Sequence, residues 1–274
     1  MEDSRSSKFS LAGIRVDALK RDDLVKILDR AKASTDKVLI LNHNLHSLYL
    51  YSTLPDFRAL YAKASFVYID GIPVVWLARL AGLPVTSEHR ITLLDSFDAV
   101  LEEASRLGWR IFYLGSTEDV FSKGLSILHS RYPNLIIQGR NGYINKESGE
   151  NDQVLSQIKA FRPDLLFVGM GMPVQERWLL ENLPEIDAHS VITCGATLDY
   201  VTGEAYKPPA WAGPLGLYGV FRFFSDPLRL WSRYLTEPII LLWHLLLPIL
   251  RQRLMKTDKI WISPEESEIV QRQS

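Results

Sequence analysis

The sequence predicts an α/β fold in which a parallel β-sheet is covered by helices on both faces. Short, continuous apolar runs recur along the chain, and such runs are typical of strands that are buried on both sides. Segments with a helical spacing of apolar residues separate these runs, which indicates parallel strands joined by helical crossovers. With 274 residues, the chain is long enough to bury a full core.

The predicted elements alternate in a regular order along the chain. The first clear strand covers residues 38–41, and a helical pattern follows over 45–63 with a break at Pro55. Further strands are predicted at 66–69, 110–114, 135–137, 165–168 and 190–194. Further helices are predicted at 74–80, 92–107, 118–132, 152–161 and 174–182.

Composition and charge narrow the range of functions. A net charge of −1 gives no global attraction to nucleic acid, so no nucleic-acid partner is expected. The single cysteine, Cys194, lies in an apolar strand and is expected to be a buried structural thiol. His43 and His46 have no third ligand nearby, so no metal site is predicted. Residues 1–10 lack the apolar stretch of a signal peptide, which predicts a cytoplasmic protein.

Polar residues or glycines follow directly after five of the predicted strands. In a parallel sheet the carboxyl ends of the strands border the ligand crevice, so these residues are expected to surround one site. Turns also use Asn, Asp and Gly for local reasons, and each motif alone is therefore weak. The residues at these strand ends are Asn42 to Asn44, Asp70 and Gly71, Gly115 and Ser116, Gly169 to Gly171, and Gly195 to Thr197.

The run of residues 168–178 combines a buried strand end, a glycine turn and a polar helix start. Gly169 and Gly171 allow the backbone to approach a ligand closely. A proline suited to the first helical turn follows, and the free amides of such a turn can hold an anion. The run predicts one wall of a nucleotide-type site, with Gln175 and Glu176 as polar contacts. The alternative is an ordinary turn with polar surface residues.

Asp70 is the candidate catalytic residue. It follows an all-apolar strand and precedes Gly71, so it is expected at the edge of the crevice. A partly buried carboxylate there would have a raised pKa and could accept a proton from an incoming hydroxyl. The alternative is an aspartate that caps the following helix.

Residues 205–274 differ in character from residues 1–204, which predicts a second unit. The segment 205–256 carries seven positive and two negative charges, interleaved with aromatic residues. Its apolar run at 239–250 is too short to span a bilayer, which requires about 20 residues. Such a basic, aromatic segment predicts a helix lying in the membrane interface, which deletion from Ile239 onward would release. A core helix or an oligomer contact is the alternative.

Assembled, these residues resemble the WecG/TagA/CpsF glycosyltransferase family, also called glycosyltransferase family 26. The resemblance covers residues 11–234. Its most specific part is the combination of two elements in this order. The first is a glycine turn followed by Pro-x-Gln-Glu, and the second is a later Asp-Pro-x-Arg-Leu. The matching stretches are 42–44, 68–71, 90–95, 113–116, 142–143, 168–176, 195–196, 226–230 and 233–234.

The resemblance implies a Rossmann-like domain with a C-terminal basic and aromatic helical appendage that closes the active site and docks on the membrane. It implies transfer of a sugar of the ManNAc, ManNAcA or glucose type from a UDP-sugar to an undecaprenyl-diphosphate-linked sugar. The reaction would occur at the cytoplasmic membrane face during synthesis of bacterial surface polysaccharide. Inversion at the anomeric carbon, with no metal and no cofactor, is also implied.

The resemblance makes Asp70 the general base and gives the arginines of the appendage a role in neutralising diphosphate. Together with the strand ends, it predicts a set of substrate-binding residues. These are Asn42, Asn44, Gly71, Arg90, Gly115, Ser116, Gly169, Gly171, Gln175, Glu176, Arg222, Arg229 and Arg233.

Three positions depart from the family pattern and leave the donor sugar open. Asn42 stands where threonine is common, Leu93 replaces a usual glycine, and Tyr218-Gly219 replaces a Glu-Trp pair.

Two other functions are alternatives to the transferase. A nucleotide-dependent oxidoreductase is disfavoured because no Gly-x-Gly-x-x-Gly follows the first predicted strand, and a non-catalytic scaffold of a polysaccharide assembly complex stays open. The lipid acceptor and the oligomeric state, including a homo-oligomer, are also open.

Overall fold

Eight strands form one sheet in the computed structural model, which describes residues 7–213, 215–225 and 227–254. The strands are β1 (Ser7–Leu11), β2 (Ile14–Ala18), β3 (Val38–His43), β4 (Phe66–Ile69), β5 (Arg110–Gly115), β6 (Ile136–Arg140), β7 (Leu165–Gly169) and β8 (Ser190–Thr193). Their order across the sheet is β1-β2-β4-β3-β8-β7-β5-β6. Only the β1–β2 pair is antiparallel among the described pairings. The predicted α/β, Rossmann-like architecture is confirmed.

The helices follow the strands in the alternation that the sequence predicts. Those of the α/β region are α1 (Arg21–Lys32), α2 (Leu45–Thr53), α3 (Pro55–Tyr61), α4 (Ile72–Leu80), α5 (Leu93–Leu107), α6 (Glu118–Arg131), α7 (Glu150–Phe161), α8 (Val174–Asn182) and α9 (Thr197–Thr202). The C-terminal part contains α10 (Tyr218–Ser225), α11 (Pro227–Leu235), α12 (Glu237–Leu241), a π-helical turn (Leu242–Leu246) and α13 (Leu247–Leu254). Short 3₁₀ turns lie at Ser87–His89, Lys146–Ser148 and Ala210–Ala212.

Alternate residues of the central strands point into two separate cores. In β7, Phe167 packs into one core with α1, α5, α6 and α9, whereas Val168 packs into the other with α3, α7 and α8. Because successive strand residues face opposite sides of a sheet, a strand covered on both faces is apolar throughout. This arrangement explains the continuous apolar runs of the sequence.

The N-terminal hairpin of β1 and β2, and the helix α1 after it, were not predicted from the sequence. Ala12 and Gly13 form the turn with φ of 49° and 88°, and alanine is an unusual residue for that backbone region. Within β2, Asp17 is fully buried and accepts a hydrogen bond of 2.7 Å from the backbone N–H of Val67. Arg15 pairs with Asp17 at 2.8 Å. Because Asp17 is a charged residue type within β2, the sequence of this strand lacks the continuous apolar run from which the other strands are predicted.

The C-terminal helices pack on the hairpin side of the sheet. Leu241, Leu245 and Ile249 are buried in a third core with residues of β1, β2 and α4. Their spacing of four residues puts them on one helix face. The helical stretch Leu230–Arg251 contains 22 residues, and an 18-residue window within it has a mean hydropathy of 1.3, so by length and composition it is long and apolar enough to cross a membrane. The boundary between residues 204 and 205 stays a prediction.

Replacing Gly115 is expected to disturb the junction of β5 with β7. A Cβ atom at this position would overlap the backbone carbonyl of Gly169, which cannot move as a flexible side chain could. Gly115→Ala should therefore lower the free energy of unfolding by roughly 3 kcal/mol, the upper end of the overpacking range. Gly108, an exposed glycine with φ of 66° and open space around its Cα, is the matched control.

Gly108→Ala should cost only about 1 kcal/mol, because it meets backbone strain without a clash. Chemical denaturation of both variants measures the difference. Equal losses of stability in the two variants would contradict the proposed close contact of Gly115 with Gly169.

Candidate active site

Asp70 and Asn42 meet at the carboxyl edge of the sheet. Parallel pairing sets Asn42 of β3 opposite Tyr68 of β4. The backbone N–H of Asp70 then donates to the carbonyl of His43 at 2.9 Å, which continues the ladder past the end of β4. The Asn42 amide Nδ2 donates to Asp70 Oδ2 at 3.1 Å. Asp70 as a whole residue is only partly buried.

Opposing influences act on the proton affinity of Asp70. Burial is the largest and raises the pKa of the carboxyl above its usual range. Hydrogen bonds from Thr92 and Asn44 and the positive charges of Arg90 and Arg222 oppose the rise. A carboxyl with a raised pKa holds protons more strongly than an ordinary aspartate and is suited to general-base chemistry.

Asp70 does not cap the helix that follows it. Gly71, with φ of 95°, is the N-cap residue of α4, and among the described residues the Asp70 carboxylate accepts a hydrogen bond from Asn42 and none from a backbone N–H of α4. A φ in this region favours glycine, because a Cβ atom would strain the backbone. The capping alternative is therefore wrong, and the Asp70 carboxylate is left for the crevice.

Arg90 joins the α/β region to the appendage beside Asp70. The extended segment around Arg90 pairs with the end of β4, where the Ile91 N–H donates to the Ile69 carbonyl at 2.8 Å. Arg90 donates to the Thr92 hydroxyl at 2.9 Å and to Asp95 Oδ2 at 3.0 Å. Thr92 is a site residue that the sequence prediction missed, although it lies inside the 90–95 motif.

Tyr218 of α10 completes this cluster from the appendage side. Its hydroxyl donates to Asp95 Oδ1 at 3.2 Å, and the Arg90 guanidinium lies 5.6 Å from the centre of its ring. A cation at this distance from an aromatic face is attracted to it. Tyr218, one of the three departures from the family pattern, thus holds the appendage against the α/β region.

The predicted arginines of the appendage occupy α10 and α11. Arg222 lies close enough to Asp70 for its charge to lower the pKa of that carboxyl. Burial raises the pKa of the Tyr234 hydroxyl, and the charges of Arg222 and Arg233 oppose that rise. The side chain of Arg229 lies outside the described residues. The structure therefore brings Arg222 to the crevice, and substrate contacts of all three arginines stay predictions.

The glycine-rich strand ends of β5 and β7 lie side by side. The Ser116 N–H donates to the Gly169 carbonyl at 3.1 Å, and the Gly142 N–H donates to the Ser116 carbonyl at 3.0 Å. Ser116 and Gly171 adopt positive φ values of 58° and 80°. Here Gly115 and Gly169 permit close packing of the strand ends, which is a role in the fold. Substrate contacts of these residues and of Gly171 stay predictions.

Gln175 and Glu176 lie inside the protein instead of on a polar surface. Both are 1% exposed. Gln175 Nε2 donates to Glu176 Oε1 at 2.7 Å, and the Gly195 N–H donates to Gln175 Oε1 at 3.3 Å. Helix α8 begins at Val174, and Pro173 is its N-cap residue. The polar start of α8 therefore ties this helix to the end of β8, and direct substrate contacts of Gln175 and Glu176 stay predictions.

Burial raises the pKa of the Glu176 carboxyl to about 7. Its hydrogen bond with Gln175 opposes the rise. Among the described residues, the Glu176 Oε2 atom has no hydrogen-bond partner. A buried acceptor without a donor favours the protonated carboxyl.

Asn44 and Asn42 are held by neighbours that the sequence prediction did not include. The Asn44 side chain accepts from the Ser47 N–H at 2.9 Å and so caps α2. The Thr193 hydroxyl donates to Asn42 Oδ1 at 3.4 Å, and the Tyr61 hydroxyl donates to the Asn42 carbonyl at 2.7 Å. Thr193 ends β8, so its position at a strand end was the available signal.

The two histidines have partners of their own. His43 is fully buried, its Nδ1 lies 3.2 Å from the Ser47 hydroxyl, and burial lowers its pKa to about 3. His46 Nδ1 contacts Glu237 Oε2 of α12 at 2.8 Å. No cluster of three or more His, Cys, Asp or Glu in the described ranges could hold a metal ion. Cys194 is buried, which raises the pKa of its thiol to about 12.

A comparison with known families identifies the fold and the site together. A sequence model of the Glycosyl transferase WecG/TagA/CpsF family matches residues 9–258. The chain belongs to this family. It is therefore a glycosyltransferase, which decides against the nucleotide-dependent oxidoreductase. The match includes the strand-end residues and both parts of the Arg90–Tyr218 cluster.

Curated relatives within this glycosyltransferase family come from Staphylococcus aureus. The proteins of strains MW2 and NCTC 8325 / PS 47 are each named N-acetylglucosaminyldiphosphoundecaprenol N-acetyl-beta-D-mannosaminyltransferase. Each is 27% identical to this chain over 242 residues, covering 88% of this chain and 93% of the relative. The similarity therefore extends over the α/β region and most of the appendage.

The buried Glu176 is expected to make the stability of this glycosyltransferase depend on pH. Because its pKa is higher in the folded protein than in the unfolded chain, its contribution is fully present below about pH 4.5 and is lost as pH rises through about 7. The full contribution is roughly 3 kcal/mol. Glu176→Gln, which keeps the acceptor for Gln175, should flatten the fall in stability between these pH values.

Urea denaturation across this pH range measures the effect, with Glu181→Gln on the exposed side of α8 as the control. The control should retain the pH dependence of the wild type. A Glu176→Gln profile as steep as that of the wild type would show that this carboxyl does not titrate in the folded protein.

Proposed function

We propose that this protein is an inverting transferase that moves a hexose or N-acetylhexosamine from a UDP-sugar to an undecaprenyl-diphosphate-linked sugar. The reaction would belong to bacterial cell-surface polysaccharide synthesis. The observation that carries the proposal is the Asp70 carboxylate at the carboxyl edge of the sheet, held by Asn42 and near the charges of Arg90 and Arg222. Membership of the family and the names of the relatives support the substrate classes.

The proposed reaction is a single displacement at the anomeric carbon. Asp70 accepts the proton of the attacking hydroxyl of the acceptor sugar, and that oxygen forms a bond to the anomeric carbon of the donor. The bond from this carbon to the UDP oxygen breaks, and UDP leaves with the electron pair. Attack opposite to the leaving group inverts the configuration. The hydrogen bond from Asn42 to Asp70 Oδ2 orients the carboxylate, which leaves Oδ1 for the proton.

The leaving diphosphate requires positive charge, which the appendage supplies in this proposal. Arg222 lies near Asp70, and an arginine can bridge phosphate oxygens through two parallel hydrogen bonds. Donors that are already oriented stabilise developing charge without a reorganisation cost. Arg229 and Arg233 of α11 are assigned to the same diphosphate. The turn at Gly169 to Gly171 forms the wall of the nucleotide site.

The donor is proposed to be of the N-acetylmannosamine type. The relatives from Staphylococcus aureus are named as N-acetylmannosaminyltransferases that act on an N-acetylglucosaminyl-diphosphoundecaprenol. The departures from the family pattern at Asn42 and Tyr218 make a glucose or N-acetylmannosaminuronic acid donor the alternative. A panel of UDP-linked N-acetylmannosamine, N-acetylmannosaminuronic acid and glucose tests this choice by the mass of the product.

The appendage is proposed to hold the enzyme on the inner membrane face. Trp231, Leu235, Trp243 and Leu254 are between 53% and 85% exposed. The buried face of the same helix packs on the third core, which favours a helix lying along the membrane over one that leaves the protein. Exposed Trp and Leu beside arginines are typical of segments in the membrane interface.

Asp70→Asn is expected to lower kcat by about 10²- to 10⁴-fold, the usual contribution of a positioned general base. The amide cannot take the proton from the acceptor hydroxyl but keeps the size of the side chain. The affinity for the UDP-sugar should be nearly unchanged. Steady-state transfer and calorimetric UDP binding measure the two quantities.

Asp36→Asn, an exposed change before β3 at the opposite edge of the sheet, is the control and should leave turnover unchanged. Retained turnover in Asp70→Asn would exclude the base assignment. If the wild type transfers none of the sugars in the panel to a lipid-linked acceptor, the proposed donor and acceptor classes are wrong.

The paired change Trp231→Gln and Trp243→Gln is expected to weaken binding to anionic vesicles. It removes two exposed indoles and leaves Leu241, Leu245 and Ile249 in the core. Deletion from Ile239 would remove that core face as well, so the point changes are the cleaner test. Vesicle co-sedimentation measures the loss, and added salt should lower binding further because arginines contribute. Unchanged co-sedimentation with a folded variant would place the membrane contact elsewhere.

A further inference from the structure

An apolar groove runs between α4 and the C-terminal helices. Its volume is about 490 Å³, which is within the range of sites for small molecules. One wall includes Leu45, Pro73 and Trp76, and the other includes Ile239, Leu242 and Leu246. Every described residue that lines it is apolar. Trp76 and Ile239 are more than half exposed, so the groove is open along its rim.

The groove begins at the two strand ends that hold the candidate base. Leu45 directly follows Asn44, whose side chain is near enough to Asp70 to lower the pKa of that carboxyl. Pro73 lies in the first turn of α4, three residues after Asp70. A molecule that reacts at Asp70 could therefore continue into the groove without leaving the protein surface.

A hydrogen-bonded contact between two largely buried side chains holds the two walls of the groove together. His46 of α2 contacts both carboxylate oxygens of Glu237 in α12, at 2.9 and 2.8 Å. Glu237 is 6% exposed, and the next residue, Pro238, lines the groove. Leu241 and Leu245 fix the same wall to the third core. The groove is thus built into the contact between the appendage and the α/β region.

The lining selects the chemistry of the occupant. A protein partner would form about one hydrogen bond per 100–200 Å² of interface, whereas the described lining residues carry no charge and supply a side-chain donor only through the indole N–H of Trp76. A hydrocarbon chain needs none. The positive charges of Arg90 and Arg222 act at the Asp70 end, where an attached diphosphate would be neutralised.

We propose that this groove binds the first isoprene units of the polyprenyl chain of the acceptor. The inference rests on the proposed function, because it assumes that the acceptor is lipid-linked. The chain would leave the crevice along α4, with its diphosphate at the arginines and its sugar hydroxyl at Asp70. The rest of the polyprenyl chain would leave the groove at the rim formed by the exposed Trp76 and Ile239 and enter the membrane there.

Photo-crosslinking of the full-length wild-type protein tests the proposal directly. The probe is a polyprenyl-diphosphate-linked N-acetylglucosamine with a benzophenone on the isoprenoid chain close to the diphosphate. Peptide mass spectrometry is expected to find the adducts in Ile72–Leu80 or in residues 237–246. Adducts confined to Trp231, Leu254 or other surfaces outside the groove would overturn it, and so would the absence of adducts.

The same experiment separates the groove from the proposed function. Adducts in the groove together with no sugar transfer from any UDP-sugar would retain the lipid site and reject the transferase assignment. Transfer without adducts in the groove would retain the transferase and reject the lipid site.

Acceptor chain length gives a second readout in matched variants. The wild type should favour a long isoprenoid chain over a short one in kcat/KM by at least about tenfold, since a few buried methylene groups suffice for this preference. Leu242→Asn, at 41% exposure on the groove wall, should bring the two values together by lowering kcat/KM for the long-chain acceptor.

Leu250→Asn is the control, because Leu250 lies on the same helical stretch at 36% exposure and does not line the groove. It should keep the preference of the wild type. An equal loss of preference in both variants would indicate general membrane contact and would overturn the groove assignment.

Discussion

The parallel pairing of β3 with β4 is the constraint on which the site depends. It sets Asn42 opposite Tyr68 and lets the backbone ladder continue from His43 to Asp70. Side chains alternate between the faces of a strand, so a shift of one residue would turn Asn42 away from the position that reaches Asp70. The apolar residues of β3 and β4 prevent such a shift, because each belongs to one of the cores. Packing in the cores therefore determines the geometry of the reactive carboxylate.

The appendage completes the electrostatics of this site. Tyr218 contacts Asp95 and Arg90, and Glu237 contacts His46, so the C-terminal helices are joined to the α/β region at two polar points. Leu241 and Leu245 add an apolar contact with β1, β2 and α4. Arg222 belongs to this same unit and acts on Asp70. Because one segment carries both the exposed aromatic residues and Arg222, the proposed attachment to a membrane would be physically coupled to assembly of the proposed site.

The sequence predicted the sheet and its polar edge because buried parallel strands leave continuous apolar runs that end in glycine or polar residues. It did not predict the β1–β2 hairpin, since Asp17 is charged and yet buried through Arg15 and the Val67 N–H. It also could not show that Gln175 is buried, because α8 has polar residues on the side that packs against β8. The burial of these polar residues depends on contacts between segments that are far apart in the sequence, and a local sequence pattern does not show such contacts.

The departures from the family pattern divide by their position relative to Asp70. Leu93 is buried in a core, so its side chain contributes to packing. Asn42 donates directly to Asp70, and Tyr218 contacts Arg90, whose charge acts on Asp70. An amide donor stabilises the charged carboxylate and restricts its rotation, whereas a hydroxyl can also rotate to accept. Two of the three departures thus alter the environment of the proposed base. Their direct effect is on the proton affinity and the orientation of the Asp70 carboxylate, and any effect on the choice of sugar follows from that.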